Sequence, residues 1–331
     1  MFKKFLFSLI PVGAALSIGL GAVEYNLRQK HTSWDPNGVD SGPRGHRECY
    51  RLDINTGYEP IPNKCNRDDK GFYRTFKGPS NPDAYKILVF GDSIADQHLW
   101  VQYATNQLEN LWDQSVETKN AGTPGFDTCS ELQMFRDKGL DEHFDHLLLQ
   151  FCPNDLASTA TIVALPNDRV RFFIGFEYVE FPRWVLSSRI LTWFSIQTLN
   201  RQHQSDGNRA SIEPIEQCIR EFKELTAQKS ARFSVVLFPS FIDNLDSEEI
   251  ILTIKGEHFN TKTAEERSRQ LLQDLDIDII EVRDIFKERG LSLESHRNVP
   301  NDLWHPNNEG QDIIAQALGT WLSNTYSPTK Q

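Results

Sequence analysis

The sequence predicts an α/β protein, a three-layer α/β/α sandwich built on a mainly parallel sheet. From Tyr85 onward, short apolar runs alternate with segments of helical period, and strands that alternate with helices imply a parallel sheet covered on both sides. Several of those runs stop at Gly, Asn or Asp loops, and the C-terminal edge of such a sheet is where ligands bind. At 331 residues, 39% hydrophobic and 24% charged, the chain is long enough for one large domain with a sizeable core plus an accessory segment. The formal net charge of -11 argues against a nucleic-acid partner, which would call for a basic face.

The chain opens with Lys3 and Lys4 ahead of Phe5–Val23, nineteen residues without a charge. As a helix that stretch spans ~28 Å, close to the thickness of a bilayer core. A cleaved signal peptide is the competing reading, but Leu20, three before Val23, does not fit the small-x-small pattern ahead of a cut near Ala22. Residues 1–30 therefore read as an uncleaved signal anchor, a transmembrane helix with its lysines on the cytoplasmic side. The remainder is then exported, membrane-anchored and periplasmic or extracellular. Residues 31–83 form an irregular lead-in rich in Pro, Gly, Asn and charge, with two hairpin or turn units at Asp53–Pro60 and Asp69–Arg74. It packs against the main domain and is not an independent fold. Cys49 and Cys65 lie in it. A disulfide between them closes a short loop, worth about 3 kcal/mol, in an oxidising compartment. Cys129, Cys152 and Cys218 read as buried thiols, and no pair of cysteines has metal-ligand spacing.

The main domain, residues 84–327, starts with Lys86-Ile-Leu-Val-Phe90, a buried strand that ends abruptly at Gly91-Asp92-Ser93. A helix over 97–113 follows, with Val101, Ala104, Leu108 and Leu111 on one stripe. Val116–Asn120 is a second strand, 121–125 a glycine loop, and 128–139 a helix. His146–Phe151 is a third strand, ending in Cys152-Pro153-Asn154-Asp155. Residues 156–210 interrupt the alternation with many aromatics, among them Phe172, Trp184, Trp193 and Phe194. This insert reads either as a lid or acyl-binding wall over the strand ends, or as extra helices packed on the core or on the membrane surface. Phe233–Pro239 is a strand, a helix opens at the capping box Thr263-x-x-Glu266, and Ile277–Val282 is a fifth strand. After Pro306 a last helix carries Ile314, Ala317, Leu318, Trp321 and Leu322 on one face.

Four stretches end at the same edge of this sheet: Gly91-Asp92-Ser93, Gly122-Thr-Pro-Gly125, Pro153-Asn154-Asp155 and Asp302-Leu-Trp-His305-Pro-Asn. Acyl transfer needs such a set. A serine hydroxyl must lose its proton to a base, and imidazole has the suitable pKa. The imidazole needs a partner to hold its tautomer, which Asp302 supplies from three residues upstream. The oxyanion needs preorganised donors, which a glycine loop and an Asn amide offer. Asp92 reads as bracing its turn and Asp155 as holding the Asn154 loop. His98 reads as lining the pocket or lying on the surface, and His143 and His146 as structural or solvated.

These four blocks, in this order and spacing, resemble the SGNH (GDSL-type) hydrolases over roughly residues 84–325. The Asp-x-x-His-Pro-Asn block is the most specific. The lead-in also looks like the segment before this domain in membrane-anchored bacterial members. The resemblance implies a flavodoxin-like α/β/α fold, Ser93 as nucleophile, His305 as base and Asp302 orienting it. It also implies an oxyanion hole made of the Ser93 and Gly125 N–H groups with the Asn154 side chain. No metal ion and no organic cofactor is implied. Where such proteins commonly carry a glycine two residues before the Asn, this chain has Cys152, followed by Pro153, which alters the approach of the Asn154 loop. Gly91–Ala95 also comes within one residue of the Gly-x-Ser-x-Gly elbow of α/β-hydrolases, but those place the serine mid-domain rather than on the first strand.

The reading is a serine esterase acting on an oxygen ester, such as O-acetyl groups on envelope polysaccharide or a short acyl ester. One alternative keeps the site but transfers the acyl group to a glycan hydroxyl. Another is a non-catalytic envelope protein that binds glycan, which predicts a broken catalytic position.

Overall fold

The computed structural model describes residues 17–29, 48–53, 55–156, 161–165, 168–174, 177–195, 212–245, 250–254 and 257–326. A helix, α1 (17–29), precedes the hairpin of β1 (Tyr50–Asp53) and β2 (Gly57–Pro60). Then come β3 (Tyr73–Arg74), β4 (Tyr85–Phe90), the short α2 (Ser93–Asp96), α3 (Leu99–Trp112), β5 (Val116–Asn120), α4 (Thr128–Met134) and β6 (His146–Phe151). The insert holds β7 (Thr161–Leu165), β8 (Arg169–Ile174), β9 (Glu177–Pro182) and α5 (189–195). The chain continues with α6 (Ile212–Gln228), β10 (Arg232–Leu237), the hairpin of β11 (Ile250–Ile254) and β12 (Glu257–Asn260), and α7 (Thr261–Asp274). It closes with β13 (Asp278–Glu281), α8 (Val282–Glu288) and α9 (Asn308–Tyr326).

The central sheet has the order β13-β10-β6-β4-β5-β3. Its first five strands are parallel, and β3, from the lead-in, closes the edge antiparallel to β5. Each face is covered. Leu88 and Phe90 of β4 join a core with residues of α4, α6 and α7, while Ile87 and Val89 join another with residues of α3, α8 and α9. That double burial is why β4 and β6 are apolar without alternation.

Several local expectations are corrected. The helix expected over 97–113 begins at Leu99, because His98 takes a left-handed φ of 63° and separates α2 from α3. Its buried stripe is Trp100, Val101, Ala104, Leu108 and Trp112, and Leu111 is 50% exposed. The helix expected over 128–139 has those bounds, and only its second part differs, widening to a π-turn at Phe135–Gly139. α7 starts two residues earlier than the expected capping box. Asn260 is the N-cap and accepts the Thr263 N–H at 2.9 Å, so Thr263 is inside the first turn.

The insert, read as a lid or extra helices, begins as a three-stranded antiparallel sheet, β7-β8-β9. Aromatic and β-branched residues suit either state, and strand pairing decides between them. Cys49 and Cys65 are disulfide-bonded. Cys129 and Cys218, expected as free thiols, are bonded too and tie α4 to α6, so only Cys152 is free. Among the described residues no helix is long and apolar enough to cross a membrane. Residues 1–16 and 30 of the expected anchor lie outside the described residues, as do 31–47 of the lead-in, and 17–23 begin α1.

Candidate active site

Ser93 and Asn154 follow the C-terminal ends of β4 and β6, and a loop between α8 and α9 supplies the other catalytic candidates. β4 ends at Phe90, and the chain turns through Gly91-Asp92 into α2. A Cβ on Gly91 would lie 2.4 Å from Gln150 Oε1, so only glycine lets this turn sit against β6. Gln150 Oε1 accepts the N–H groups of Asp92 (3.0 Å) and Ala95 (3.3 Å). Asp92 is the N-cap of α2 and accepts the Ile94 N–H at 2.8 Å, which braces the turn. Ser93 is the first helical residue, where backbone N–H groups have no acceptor inside the helix.

The loop after α8 brings Asp302 and His305 to the same place. Leu303 O accepts the Phe241 N–H at 2.7 Å, and His305 O accepts the Asn298 N–H at 2.9 Å, which anchors the loop to its neighbours. His305 Nε2 lies 2.7 Å from Ser93 Oγ, and Nδ1 lies 2.9 Å from both carboxylate oxygens of Asp302. Burial pushes the Asp302 carboxyl up, but the N–H groups of Trp304 and His305, together with the imidazole, outweigh it and hold the group below the ordinary carboxylate value. An ionised Asp302 can only accept, so it holds the proton on Nδ1 and leaves Nε2 as the acceptor facing Ser93.

The donors come from two further loops. Asn120, fully buried, donates to Ala95 O at 2.7 Å and accepts the Gly122 N–H at 2.8 Å, and Thr123 N–H donates to Gly91 O at 3.0 Å. These bonds lay the loop against α2 so closely that a Cβ on Gly122 would meet Asp96 N at 2.4 Å. Gly125 follows with φ +77°, a conformation that glycine adopts without strain. Asn154 lies in a 3-10 turn after β6, with Nδ2 3.4 Å from Asp92 Oδ2 and Oδ1 against the Cys152 thiol. Ser93, Asn154, Asp302 and His305 are partly exposed and Gly125 is exposed, above a buried floor of Asp92, Thr123, Cys152 and Asp155. Ser93, His305 and Asp302 are thus brought into contact, and Asn154 lies against Asp92, the residue before the serine.

Beneath them is a set of buried acids: Asp92 and Asp155, which brace the two loops as expected, and Glu131, which sequence patterns did not single out. Burial pushes Asp92 up, and Glu131 and Asp155 well up, with repulsion from neighbouring carboxylates adding to the last two. Burial likewise keeps Cys152 a thiol. Asp92, Cys152 and Asp155 place ligand-type atoms within 4.8 Å of one another, yet each carboxylate already accepts a backbone N–H, from Ile94 and from Cys152 at 2.8 Å. The signal for Gln150 was visible as the one polar residue in the apolar strand Leu147–Phe151.

Two further histidines, His98 and His146, serve the frame. His98 stacks on Tyr73 at 5.0 Å, and burial with the nearby Arg67 charge pushes it down to about 4. It is half-buried, where a surface role had been expected. His146 is buried between β6 and β10, 2.9 Å from Ser234 Oγ. His143 is exposed.

No protein-family model matches this chain, and no curated protein does. Among solved structures it is similar to a catalytic mutant of an acetylxylan esterase from Geobacillus stearothermophilus, at 13% identity over 77% of this chain and 100% of that one, with a TM-score of 0.47. It is also similar to a lipase/acylhydrolase from Enterococcus faecalis, at 15% identity over 75% of this chain and 100% of that one, with a TM-score of 0.44. Likenesses this distant carry no weight for the chemistry, which has to rest on the side chains themselves.

Proposed function

We infer that this chain is a serine ester hydrolase of the SGNH type. The observation that carries the reading is the unbroken relay of Asp302, His305 and Ser93, with 2.9 Å and 2.7 Å contacts. Ser93 Oγ attacks the ester carbonyl carbon while its proton passes to His305 Nε2, and Asp302 stabilises the imidazolium. The negative charge that develops on the carbonyl oxygen is taken up by the Ser93 and Gly125 N–H groups and Asn154 Nδ2. His305 then protonates the leaving alcohol as the C–O bond breaks, giving acyl-Ser93. A water, deprotonated by the same imidazole, attacks that ester and releases the acid. The substrate is an oxygen ester, and O-acetyl groups on an envelope polysaccharide suit the compartment. Two disulfides support export, since such bonds persist only where the surroundings oxidise.

Anchoring to a membrane belongs to the same reading. The uncharged stretch ends at Val23, and the next residue, Glu24, accepts the first N–H groups of α5 from Arg189 (2.9 Å) and Ile190 (3.0 Å). Arg28 donates to Ser187 O at 2.6 Å. These contacts set α5 beside the end of the apolar stretch, with Trp184, Leu191 and Phe194 exposed.

Hydrolysis of p-nitrophenyl acetate and butyrate by wild type, Ser93→Ala and His305→Ala tests the reading. Turnover should fall at least ~10³-fold in both variants with folding unchanged. Equal rates in all three would overturn it.

A further inference from the structure

We propose that Tyr58, on the lead-in hairpin, is a positioning residue that aims one donor of the oxyanion hole. The inference rests on the ester-hydrolase reading above. The Tyr58 hydroxyl donates to Pro124 O. That carbonyl and the Gly125 N–H belong to one planar peptide unit and point in opposite directions in its trans form. Holding the carbonyl toward β2 therefore turns the N–H away from the lead-in, on the side where an oxyanion would form. A peptide that accepts a hydrogen bond at its oxygen is also a better donor at its nitrogen, because chains of hydrogen bonds polarise one another.

The rest of the lead-in is built to keep Tyr58 in place. Its ring packs edge-on against Tyr50 and tilted against Phe126, and burial pushes its hydroxyl pKa well up, so it stays a neutral donor. Pairing with β1 and the Cys49–Cys65 bond hold the hairpin. At the other end of the glycine loop Arg67, wholly buried, donates to Gly122 O at 2.9 Å and to Asp96 Oδ1 at 2.6 Å, and stands over the Tyr73 ring at 4.0 Å. The loop is thus gripped at both ends by residues that precede the catalytic domain. A Cβ on Gly125 would lie 2.8 Å from the Tyr58 oxygen, so the glycine and the tyrosine fit only as a pair.

The test uses the full chain with its disulfides intact and compares wild type, Tyr58→Phe and Ser93→Ala on p-nitrophenyl acetate. Phenylalanine keeps the ring packing and removes only the donor. The expected result is a fall in kcat of about 10-fold for Tyr58→Phe, with KM within twofold and an unchanged thermal midpoint. A lone structural bond would lower the midpoint and leave kcat of the folded protein alone. Reaction of Ser93 with an aryl fluorophosphonate, whose phosphoryl oxygen needs the same donors, should slow by a similar factor. Turnover that depends on Ser93 but is equal in Tyr58→Phe and wild type overturns the positioning role alone. Turnover that does not depend on Ser93 overturns the ester-hydrolase reading and this role with it.

Discussion

Single residues in this fold earn their places through what burial does to them. His146 shows the effect on stability most clearly. Burial, with the Arg232 charge added, pushes it down to about 3, against ~6.5 in an unfolded chain. Between those values the unfolded chain binds a proton that the folded chain refuses, so stability rises with pH across that window. The contribution is fully present above about pH 6.5 and drains away as the pH falls toward 3. His146→Gln should therefore narrow the difference between urea midpoints taken near pH 4 and near pH 7 by the equivalent of about 3 kcal/mol. An undiminished difference would assign the acid sensitivity to other groups. At the site, the cluster of Ser93, Asp302 and His305 was legible because the nucleophile, base and orienting acid proposed here each admit few residue types. Tyr58 was not, since its partner lies 66 residues away and a tyrosine in a hairpin has no single meaning.

At the scale of elements, the strands of the central sheet were readable where both faces are covered, as in β4 and β6, because double burial leaves a mostly apolar run without alternation. Helix ends were less so. The break at His98 needs a left-handed residue that stacking on Tyr73 and the contact with Asn120 hold in place, and neither partner is a neighbour in sequence. The tie between α4 and α6 is of the same kind. Cys129 and Cys218 are 89 residues apart, and only the packing of the two helices brings them together. In the loop-entropy model that bond is worth about 4–5 kcal/mol, and Cys49–Cys65, which spans 16 residues, about 3 kcal/mol. Urea unfolding of the paired variants Cys129→Ala/Cys218→Ala and Cys49→Ala/Cys65→Ala should show the first losing more. The reverse order would mean that chain entropy does not govern these bonds.

At the scale of the whole molecule, the lead-in and the insert turn a sheet with a site into a protein with a direction. β3 completes the sheet edge, Arg67 and Tyr58 hold the glycine loop, and Glu24 caps α5 where the apolar stretch ends. Carbonate-washed membranes from cells making the full chain are expected to retain it, and recovery in the wash would set the anchoring aside. Residue order alone was enough for the alternating α/β architecture, because burial on one face or two leaves its period in the sequence. It was enough, too, to pick out the residues proposed for acyl transfer, since that chemistry restricts identity. Folding in three dimensions decided that the insert begins as strands and that Cys129 meets Cys218. It also decided that the lead-in grips the glycine loop. Those outcomes depend on which distant surfaces meet, and contacts between remote segments leave no local period to read.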